Sequence, residues 1–258
     1  MSAREPIRLR REPPAFRVAE VRGIDRLTPR MTRVMLGGPA LEGFATDLPA
    51  SSVRLLIPSP GSSELVMPKW NGNEFILADG TRPIIRTFTP RFFDAERLEL
   101  ALDIVIHRGG AVSAWISRAE LGDPAAVSGP GRGYVIDVDA PRFLLAGDEA
   151  ALPAICQLLE VLPESVPVDV IVEIAEPAAE LDLHEGAAVN TRWVELPAGA
   201  FPGDALVDAI AAVELEPGAK VWVAGEAAAM HRIRRHCFDE RGLPRSDVTV
   251  RGYWKAGR

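Results

Sequence analysis

Residues 86–91, Arg-Thr-Phe-Thr-Pro-Arg, combine three kinds of side chain that together suit one chemistry. A guanidinium can pair with phosphate oxygens, an aromatic ring can lie on a conjugated ring, and a hydroxyl can hydrogen-bond that ring's edge. Arg86, Phe88 and Thr89 therefore match the phosphates, the face and the reactive edge of a flavin nucleotide. Residues two apart on a strand share a face, so Thr89 should point away from the other two unless the strand ends there. Arginine and threonine are also ordinary residues of an exposed edge strand, so the motif needs support from elsewhere.

A second motif follows at residues 107–113, His-Arg-Gly-Gly-Ala-Val-Ser. A strand runs into the two glycines, and a short helix is predicted over residues 111–119. A helix start offers free N–H groups and a positive dipole end, and glycine lets a phosphate approach the backbone. Trp115 falls on the apolar face of this helix and is expected in the core. The glycine turn thus predicts a second anion contact.

In the second half, residues 144–155 indicate a strand, a tight turn holding Asp148 and Glu149, and a helix. A similar strand end occurs at Gly225 and Glu226. In open α/β sheets, ligands bind beyond the carboxyl ends of the strands, where these turns must lie. The turn lacks the GxGxxG fingerprint, so dinucleotide binding does not follow from its glycines. Arginines at 232, 234 and 235 would suit a 2′-phosphate or an ordinary solvated helix face.

The elements that must position these motifs differ between the two halves. The first half shows period-two alternation in residues 97–107, with further strands predicted at 16–21, 31–36, 53–58 and 84–89. Short strands separated by turn residues predict a small antiparallel β-barrel. The second half alternates strands (142–146, 168–174, 190–195, 220–224, 248–253) with helices (150–162, 204–213, 226–241). This alternation predicts a doubly wound parallel sheet. The glycine- and proline-rich segment 129–141 is a plausible hinge, which gives a barrel domain over 1–137 and an α/β domain over 138–258.

Composition excludes several classes of protein. Residues 1–137 carry 18 Lys and Arg against 16 Asp and Glu, whereas residues 138–258 carry 11 against 20. Neither half is strongly basic, which disfavours a nucleic-acid partner. The histidines form no HxxxH or HExxH pattern, and the two cysteines lie in apolar helical patterns, so no protein-held metal is expected. No stretch approaches the roughly 20 apolar residues of a membrane span, and the charged N-terminus is no signal peptide. A cytoplasmic protein is the expectation.

Taken in order, these segments resemble the siderophore-interacting protein family, FAD-dependent ferric-siderophore reductases of the ferredoxin-reductase-like superfamily. The resemblance covers the chain from about residue 15 onward. It is most specific in five blocks: RTFTPR (86–91), DIVIHRGGAVSAW (103–115), AGDEAALPAI (146–155), WVAGEAAAMHRIRRHCFDERGLPRSDV (222–248) and GYWKAG (252–257).

The resemblance implies an FAD-binding barrel, a nicotinamide nucleotide domain and an iron(III) chelate as electron acceptor. FAD and NAD(P)H would be held by residues of all five blocks. These are Arg86, Thr87, Phe88, Thr89, Asp103, His107, Gly110, Ala111, Val112, Ser113, Asp148, Glu149, Gly225, Glu226 and Trp254. Arg86 would pair with the pyrophosphate, Phe88 would stack on the flavin, and Trp254 would cover or adjoin it. Three basic residues, Arg54, Arg132 and Lys255, would receive the anionic ferric siderophore, and the chemistry would occur on the flavin itself.

The chain departs from the family pattern at Phe88, usually tyrosine, and at Ala111, Val112 and Ala150, usually proline, alanine and threonine. Losing the tyrosine hydroxyl removes a hydrogen bond worth about 1 kcal/mol. Other functions fit the same scaffold. A general flavin reductase, an electron-transfer enzyme that uses ferredoxin as partner, and a siderophore-binding protein without catalysis remain alternatives.

Overall fold

The computed structural model describes residues 13–183 and 188–257; the charged N-terminal segment and His184 lie outside them. The strands of the first half are β1 (Arg17–Arg26), β2 (Met31–Gly37), β3 (Val53–Ile57), β4 (Lys69–Trp70), β5 (Phe75–Ile76), β6 (Ile84–Phe88), β7 (Pro90–Asp94), β8 (Glu99–Val105) and β9 (Pro124–Ser128). Helix α1 (Ala111–Ile116) precedes β9. Strands β4 and β5 form a separate hairpin, and the others form one seven-stranded sheet.

That sheet is antiparallel throughout its described pairings, in the order β6-β3-β9-β1-β2-β8-β7. Its two edge strands, β6 and β7, are consecutive in the chain and are joined by Thr89 alone. The sheet must therefore curl until its two edges meet at this residue. The predicted alternation fills the enclosed core: Leu100, Leu102 and Ile104 of β8 are buried in it with Trp115 of α1. The antiparallel barrel is confirmed. Its seam, which is the place where the edge strands β6 and β7 meet at Thr89, lies in the first motif.

The second half contains strands β10 (Phe143–Asp148), β11 (Val168–Ile174), β12 (Val189–Glu195), β13 (Lys220–Glu226) and β14 (Val248–Trp254). Its helices are α2 (Leu152–Val161), α3 (Asp204–Ala211) and α4 (Ala227–Arg235). The five strands are parallel, in the order β12-β11-β10-β13-β14. The chain reverses its direction of winding between β10 and β13, so the crevice beyond these two strand ends is the switch point where such sheets bind ligands. The predicted doubly wound sheet is confirmed.

Hydrogen bonds and a shared core join the two halves. Gln157 of α2 accepts a hydrogen bond from the N–H of Ala50 at 2.8 Å and donates one to the carbonyl of Pro90 at 2.8 Å. Arg251 of β14 donates to the carbonyls of Ala50 and Gly133. Met31 and Ala50 of the barrel half are buried in the core that α2 packs against. The barrel seam is thereby fixed against the parallel sheet.

Several predicted boundaries are wrong in ways that local chemistry explains. The helix predicted over 150–162 begins with a 3₁₀ turn, Glu149–Ala151, because Asp148 caps the turn through the N–H of Ala150. The helix predicted over 226–241 stays α-helical only to Arg235 and continues as a π-type turn, and α1 ends at Ile116 instead of 119. Strands β4, β5, β7 and β9 were not predicted. The proposed hinge, residues 129–141, has no helix or strand and bonds to the barrel through its N–H groups at 131 and 134.

Candidate functional site

The barrel seam presents the first motif. In the β3–β6 register Arg86 pairs with Leu55 and Phe88 with Val53, and both partners are buried in the barrel. Directly paired residues of antiparallel strands have side chains on one face. Arg86 and Phe88 therefore lie on the inner face at the open edge, where Phe88 is half-buried against the core and Arg86 is exposed. The guanidinium of Arg86 donates to the carbonyl of Ile85 at 2.9 Å. This leaves most of its hydrogen-bonding capacity free.

Thr89 is the buried residue that joins the two edge strands. Its hydroxyl lies 3.4 Å from the hydroxyl of Tyr253, on β14 of the other half. Burial raises the pKa of Tyr253 above its ordinary value, so its proton is held firmly at neutral pH. Tyr253 was missed in the sequence because a tyrosine on a predicted strand has no distinguishing local pattern. The seam of the barrel thus meets the last strand of the sheet.

The glycine turn forms a tight cradle. Ser113 accepts a hydrogen bond at its Oγ from the N–H of His107, at 3.1 Å. A Cβ placed on Gly110 would come within 2.6 Å of the His107 ring and 2.9 Å of the Ser113 hydroxyl, so a larger residue would have to displace one of these side chains. No side chain of the described residues caps the start of α1. The backbone of Ala111 and Val112 therefore presents its first-turn N–H groups without a built-in anion. The turn leaves these N–H groups available to an anion, and the phosphate contact stays a prediction.

The side chain of Asp103 contacts Arg33 and makes no described hydrogen bond to the glycine turn. It sits opposite Arg33 in the β2–β8 register, and the guanidinium donates to its two carboxylate oxygens at 2.7 and 2.8 Å. The hydrogen bond to Asp103 raises the pKa of Arg33, whose guanidinium also lies over the ring of Phe92. The structure shows Asp103 as one half of a buried ion pair, and its cofactor-binding role stays a prediction.

At the switch point, Asp148 accepts three hydrogen bonds. Its Oδ1 accepts from the N–H of Ala150 at 2.9 Å, and its Oδ2 from the N–H of Glu226 at 2.9 Å and the indole N–H of Trp254 at 2.7 Å. Burial raises the pKa of Asp148 to about 7, although the three donors oppose the shift. Gly225 makes room for this carboxyl, since a Cβ there would lie 2.6 Å from Oδ2. Four predicted site residues are thus brought together at the ends of β10, β13 and β14.

The neighbouring glutamates have structural partners. Glu149 accepts from Nε of Arg30 at 2.9 Å on both oxygens and from the N–H of Ala175 at 2.9 Å, so it joins the barrel to the sheet. Glu226 caps α4 with one carboxylate oxygen and accepts the N–H of Ala256 with the other, at 3.1 Å. Arg30 was missed in the sequence because its partner is 119 residues away.

The predicted chelate-binding residues fall into two places. Arg54 pairs with Thr87 and with Ser128 across adjacent strands, on the face of β3 and β6 opposite to Arg86. Arg54, Thr87 and Ser128 line a small cavity of about 60 Å³ whose wall continues to Gly131, next to exposed Arg132. Lys255 is also exposed, but it follows Trp254 at the sheet's carboxyl edge. Arg54 thus lines this cavity, Arg132 follows its last lining residue in the chain, and no described contact joins Lys255 to either.

The three arginines of α4 are engaged by other residues of the chain. Arg232 pairs with Asp204 at the start of α3, Arg234 donates to the carbonyl of Val250 at 2.8 Å, and Arg235 lies 3.5 Å from Glu240. Arg234 and Arg235 remain exposed. Across residues 13–183 and 188–257, no cluster of three or more His, Cys, Asp or Glu side chains could hold a metal ion, and no helix is long and apolar enough to cross a membrane.

Two known family profiles match the sequence of this chain. The sequence profile described as "Siderophore-interacting FAD-binding domain" matches residues 20–134, and the one described as "Siderophore-interacting protein" matches residues 140–257. The chain belongs to the siderophore-interacting protein family. The family and the FAD-binding barrel predicted from the sequence are confirmed.

Individual relatives align with most of the chain. The crystal structure of a siderophore utilization protein from T. fusca has a TM-score of 0.84 and 37% sequence identity, and covers 96% of this chain and 95% of that one. The NADPH-dependent ferric-chelate reductase of Escherichia coli is 30% identical over 93% of each chain. The ferric vibriobactin reductase ViuB of Vibrio cholerae is 29% identical over 88% of this chain and 85% of its own.

Proposed function

We propose that this flavoprotein is a ferric-siderophore reductase, which passes electrons from NAD(P)H through FAD to an iron(III) chelate and so releases iron(II). The observation that carries this proposal is the barrel seam. There Arg86 and Phe88 face an open edge, while Thr89 touches Tyr253 of the parallel sheet. A flavin bound at the seam would lie where the two halves meet, within reach of a donor on one side and an acceptor on the other.

The residues at the seam fit FAD. Arg86 would pair with the pyrophosphate, Phe88 would stack on the ring, and Thr89 would hydrogen-bond the reactive edge. The cradle that Gly110 leaves beside His107 and Ser113 would receive the phosphates on backbone N–H groups. FAD bound there supplies the conversion of a two-electron donor to one-electron transfers. The chain's own contribution is to hold the ring and to keep the tyrosine proton of the adjoining strand in place.

The electron donor is a nicotinamide nucleotide, which would enter at the switch point beside Asp148, Glu226 and Trp254. Support comes from the doubly wound sheet and from the NADPH-dependent relative. The engaged arginines of α4 do not separate NADPH from NADH, because each already has a partner in the chain.

The acceptor would bind through the basic residues of the barrel. Arg54 lines one small cavity and Arg132 is the next residue after its lining residue Gly131, so the two could bind a single anionic group of a chelate there. Ferric iron is held tightly by hard oxygen ligands and ferrous iron much less so, so reduction releases the metal without protein ligands. The described residues offer no metal-binding cluster, which fits an iron that stays within its chelate until it is reduced.

The proposal is tested by reducing the FAD-loaded protein anaerobically with NADPH and mixing it with ferric hydroxamate and catecholate complexes in a stopped-flow instrument. We expect flavin reoxidation with formation of iron(II). The double variant Arg54→Glu, Arg132→Glu should slow this step at least tenfold, since each reversal replaces attraction by repulsion.

The matched control is Arg82→Glu, Arg97→Glu, which makes the same charge change at two exposed positions away from the cavity. Equal slowing by both double variants would indicate a general charge effect and refute the assigned acceptor site. Rapid reduction by NADPH without any electron transfer to ferric chelates would instead favour a general flavin reductase. Protein that neither contains nor takes up FAD would favour a siderophore-binding protein.

A further inference from the structure

The C-terminal strand ends over the switch point and is fastened there. Trp254, the last residue of β14, donates its indole N–H to Asp148 at the end of β10. Two residues later, the N–H of Ala256 is held by Glu226 at the end of β13. These two contacts lay the chain's final residues across the crevice in which a nucleotide would bind.

Of the three hydrogen bonds that Asp148 accepts, only the one from the indole can be broken by rotation of a side chain. All three partners are N–H donors, and none of these groups can accept a hydrogen bond. A proton on Oδ2 would therefore compete with the two donors for the lone pairs of that oxygen. The N–H groups of Ala150 and Glu226 are fixed in the backbone, whereas the Trp254 side chain is 39% exposed and can rotate away.

Three carboxylates lie near Asp148, and no described hydrogen bond or salt bridge joins it to a cation. Glu173 lies opposite it on β11, Glu226 ends β13, and Glu149 is the next residue in the chain. The nearby cations are Arg30, which is engaged by Glu149, Arg251 of β14, which donates to two backbone carbonyls, and exposed Lys255. Tyr253 of β14 keeps its proton. Proton uptake by Asp148 is thus governed by its burial and by the three donors.

We infer that Asp148 is a positioning residue that latches the Trp254 indole over the switch-point crevice, and that its protonation releases the ring and opens the crevice to the nucleotide. This inference rests on the proposed nucleotide site, although the latch itself can be tested without FAD or nucleotide. Because the indole and the nicotinamide nucleotide would occupy the same crevice, the ring competes with the nucleotide while it is latched.

The latch is tested by NMR on the full chain labelled with ¹⁵N-tryptophan, which gives five indole signals. Trp254→Phe identifies the Trp254 signal, and Trp193→Phe, at a half-buried tryptophan of β12, is the matched control. We expect the Trp254 indole to shift with an inflection near pH 7, and Asp148→Asn to abolish that inflection. A Trp254 signal that does not titrate between pH 5 and pH 9, or that titrates unchanged in Asp148→Asn, would overturn the latch.

A second measurement covers the case in which Asp148→Asn fails to fold. Trp254→Phe replaces a partly exposed side chain and removes a donor that lowers the pKa of Asp148. The Asp148 carboxyl, observed by ¹³C NMR, should therefore titrate at a higher pH in Trp254→Phe than in wild type or in Trp193→Phe. An unchanged or lower Asp148 pKa in Trp254→Phe would refute the hydrogen bond on which the latch depends.

The kinetic consequence is a change in the KM for NADPH. Trp254→Phe should lower the KM for NADPH about fivefold, the factor that corresponds to one net hydrogen bond, and should flatten its dependence on pH. An unchanged KM with a titrating indole would remove the link to the nucleotide and refute the gating step. Failure of the proposed function would give a different result. NADPH would then not reduce the flavin of the wild-type protein, although the Trp254 indole would still titrate.

Discussion

Arg86→Ala isolates the cofactor contact from the stability of the fold. Arg86 is exposed on the edge strand β6, and its guanidinium bonds only to the carbonyl of its neighbour, Ile85, among the contacts of the described chain. Exposed positions without a special contact change the free energy of unfolding by about 0.5 kcal/mol or less. We therefore expect Arg86→Ala to unfold at nearly the same urea concentration as wild type.

The effect on FAD should be much larger. A guanidinium that pairs with a pyrophosphate makes two charge-assisted hydrogen bonds, each worth about 1.5 kcal/mol at the lower end of the usual range. Their loss, about 3 kcal/mol, corresponds to a roughly 150-fold increase in the Kd for FAD. Arg86→Lys keeps the charge but cannot pair in a bidentate manner, so it should recover only part of this affinity.

The assay is titration of flavin-free protein with FAD, followed by flavin fluorescence, with urea unfolding of the same samples. Arg97→Ala serves as the matched control, because Arg97 is an exposed arginine of the same barrel, 3.9 Å from Asp94. A Kd for FAD within about twofold of wild type in Arg86→Ala would refute the assigned role. A large loss of stability in that variant would refute the premise that the side chain is free for a ligand.

Three further changes test other parts of the site. Gly110→Ala should raise the Kd for FAD about tenfold by displacing the His107 ring, and an unaltered Kd in the titration would contradict the cradle. Glu149→Gln should lower the free energy of unfolding by about 2 kcal/mol in urea, since it leaves Arg30 without its ion pair; a loss under about 0.5 kcal/mol would count against that contact. Because burial raises the folded-state pKa of Asp148 to about 7 from an ordinary 3.8, its contribution to stability is complete below about pH 4 and is lost as the pH rises through 7. Urea unfolding from pH 4 to pH 8 should show a smaller decline in Asp148→Asn than in wild type, because buried Glu173, whose pKa is also raised, remains in both.

The main elements follow from local periodicity. The alternation of Leu100, Leu102 and Ile104 predicts a strand with one buried face, and these residues do line the barrel core. The seam could not be predicted in the same way. Strands β6 and β7 are separated by Thr89 alone, so the local sequence indicates one strand continuing into a turn, and only the pairing with distant β3 and β8 shows two edges.

Contacts between distant segments have no local signal. The indole of Trp254 and the carboxyl of Asp148 are 106 residues apart, and Gln157 is 107 residues from Ala50. Family resemblance pointed to Asp148 and Trp254 individually as cofactor residues, but their mutual hydrogen bond emerges only in the fold. Side-chain pairing of this kind depends on the register of β10, β13 and β14, which hydrophobic patterns do not determine.

The distribution of helix caps explains why the chain binds nucleotides without a GxGxxG fingerprint in its parallel sheet. At the ends of β10, β11 and β13, the carboxyl groups of Asp148, Glu173 and Glu226 accept N–H groups from the starts of the turn before α2, of α3 and of α4, respectively. A carboxyl group of the chain already accepts N–H groups at each of these starts, so these donors are not free for a pyrophosphate. The start of α1 in the barrel has no such side-chain cap, and Gly110 keeps its approach open. By the same physical principle, we propose that α1 receives the phosphates of FAD, and that NAD(P)H binds at the crevice without a free helix start.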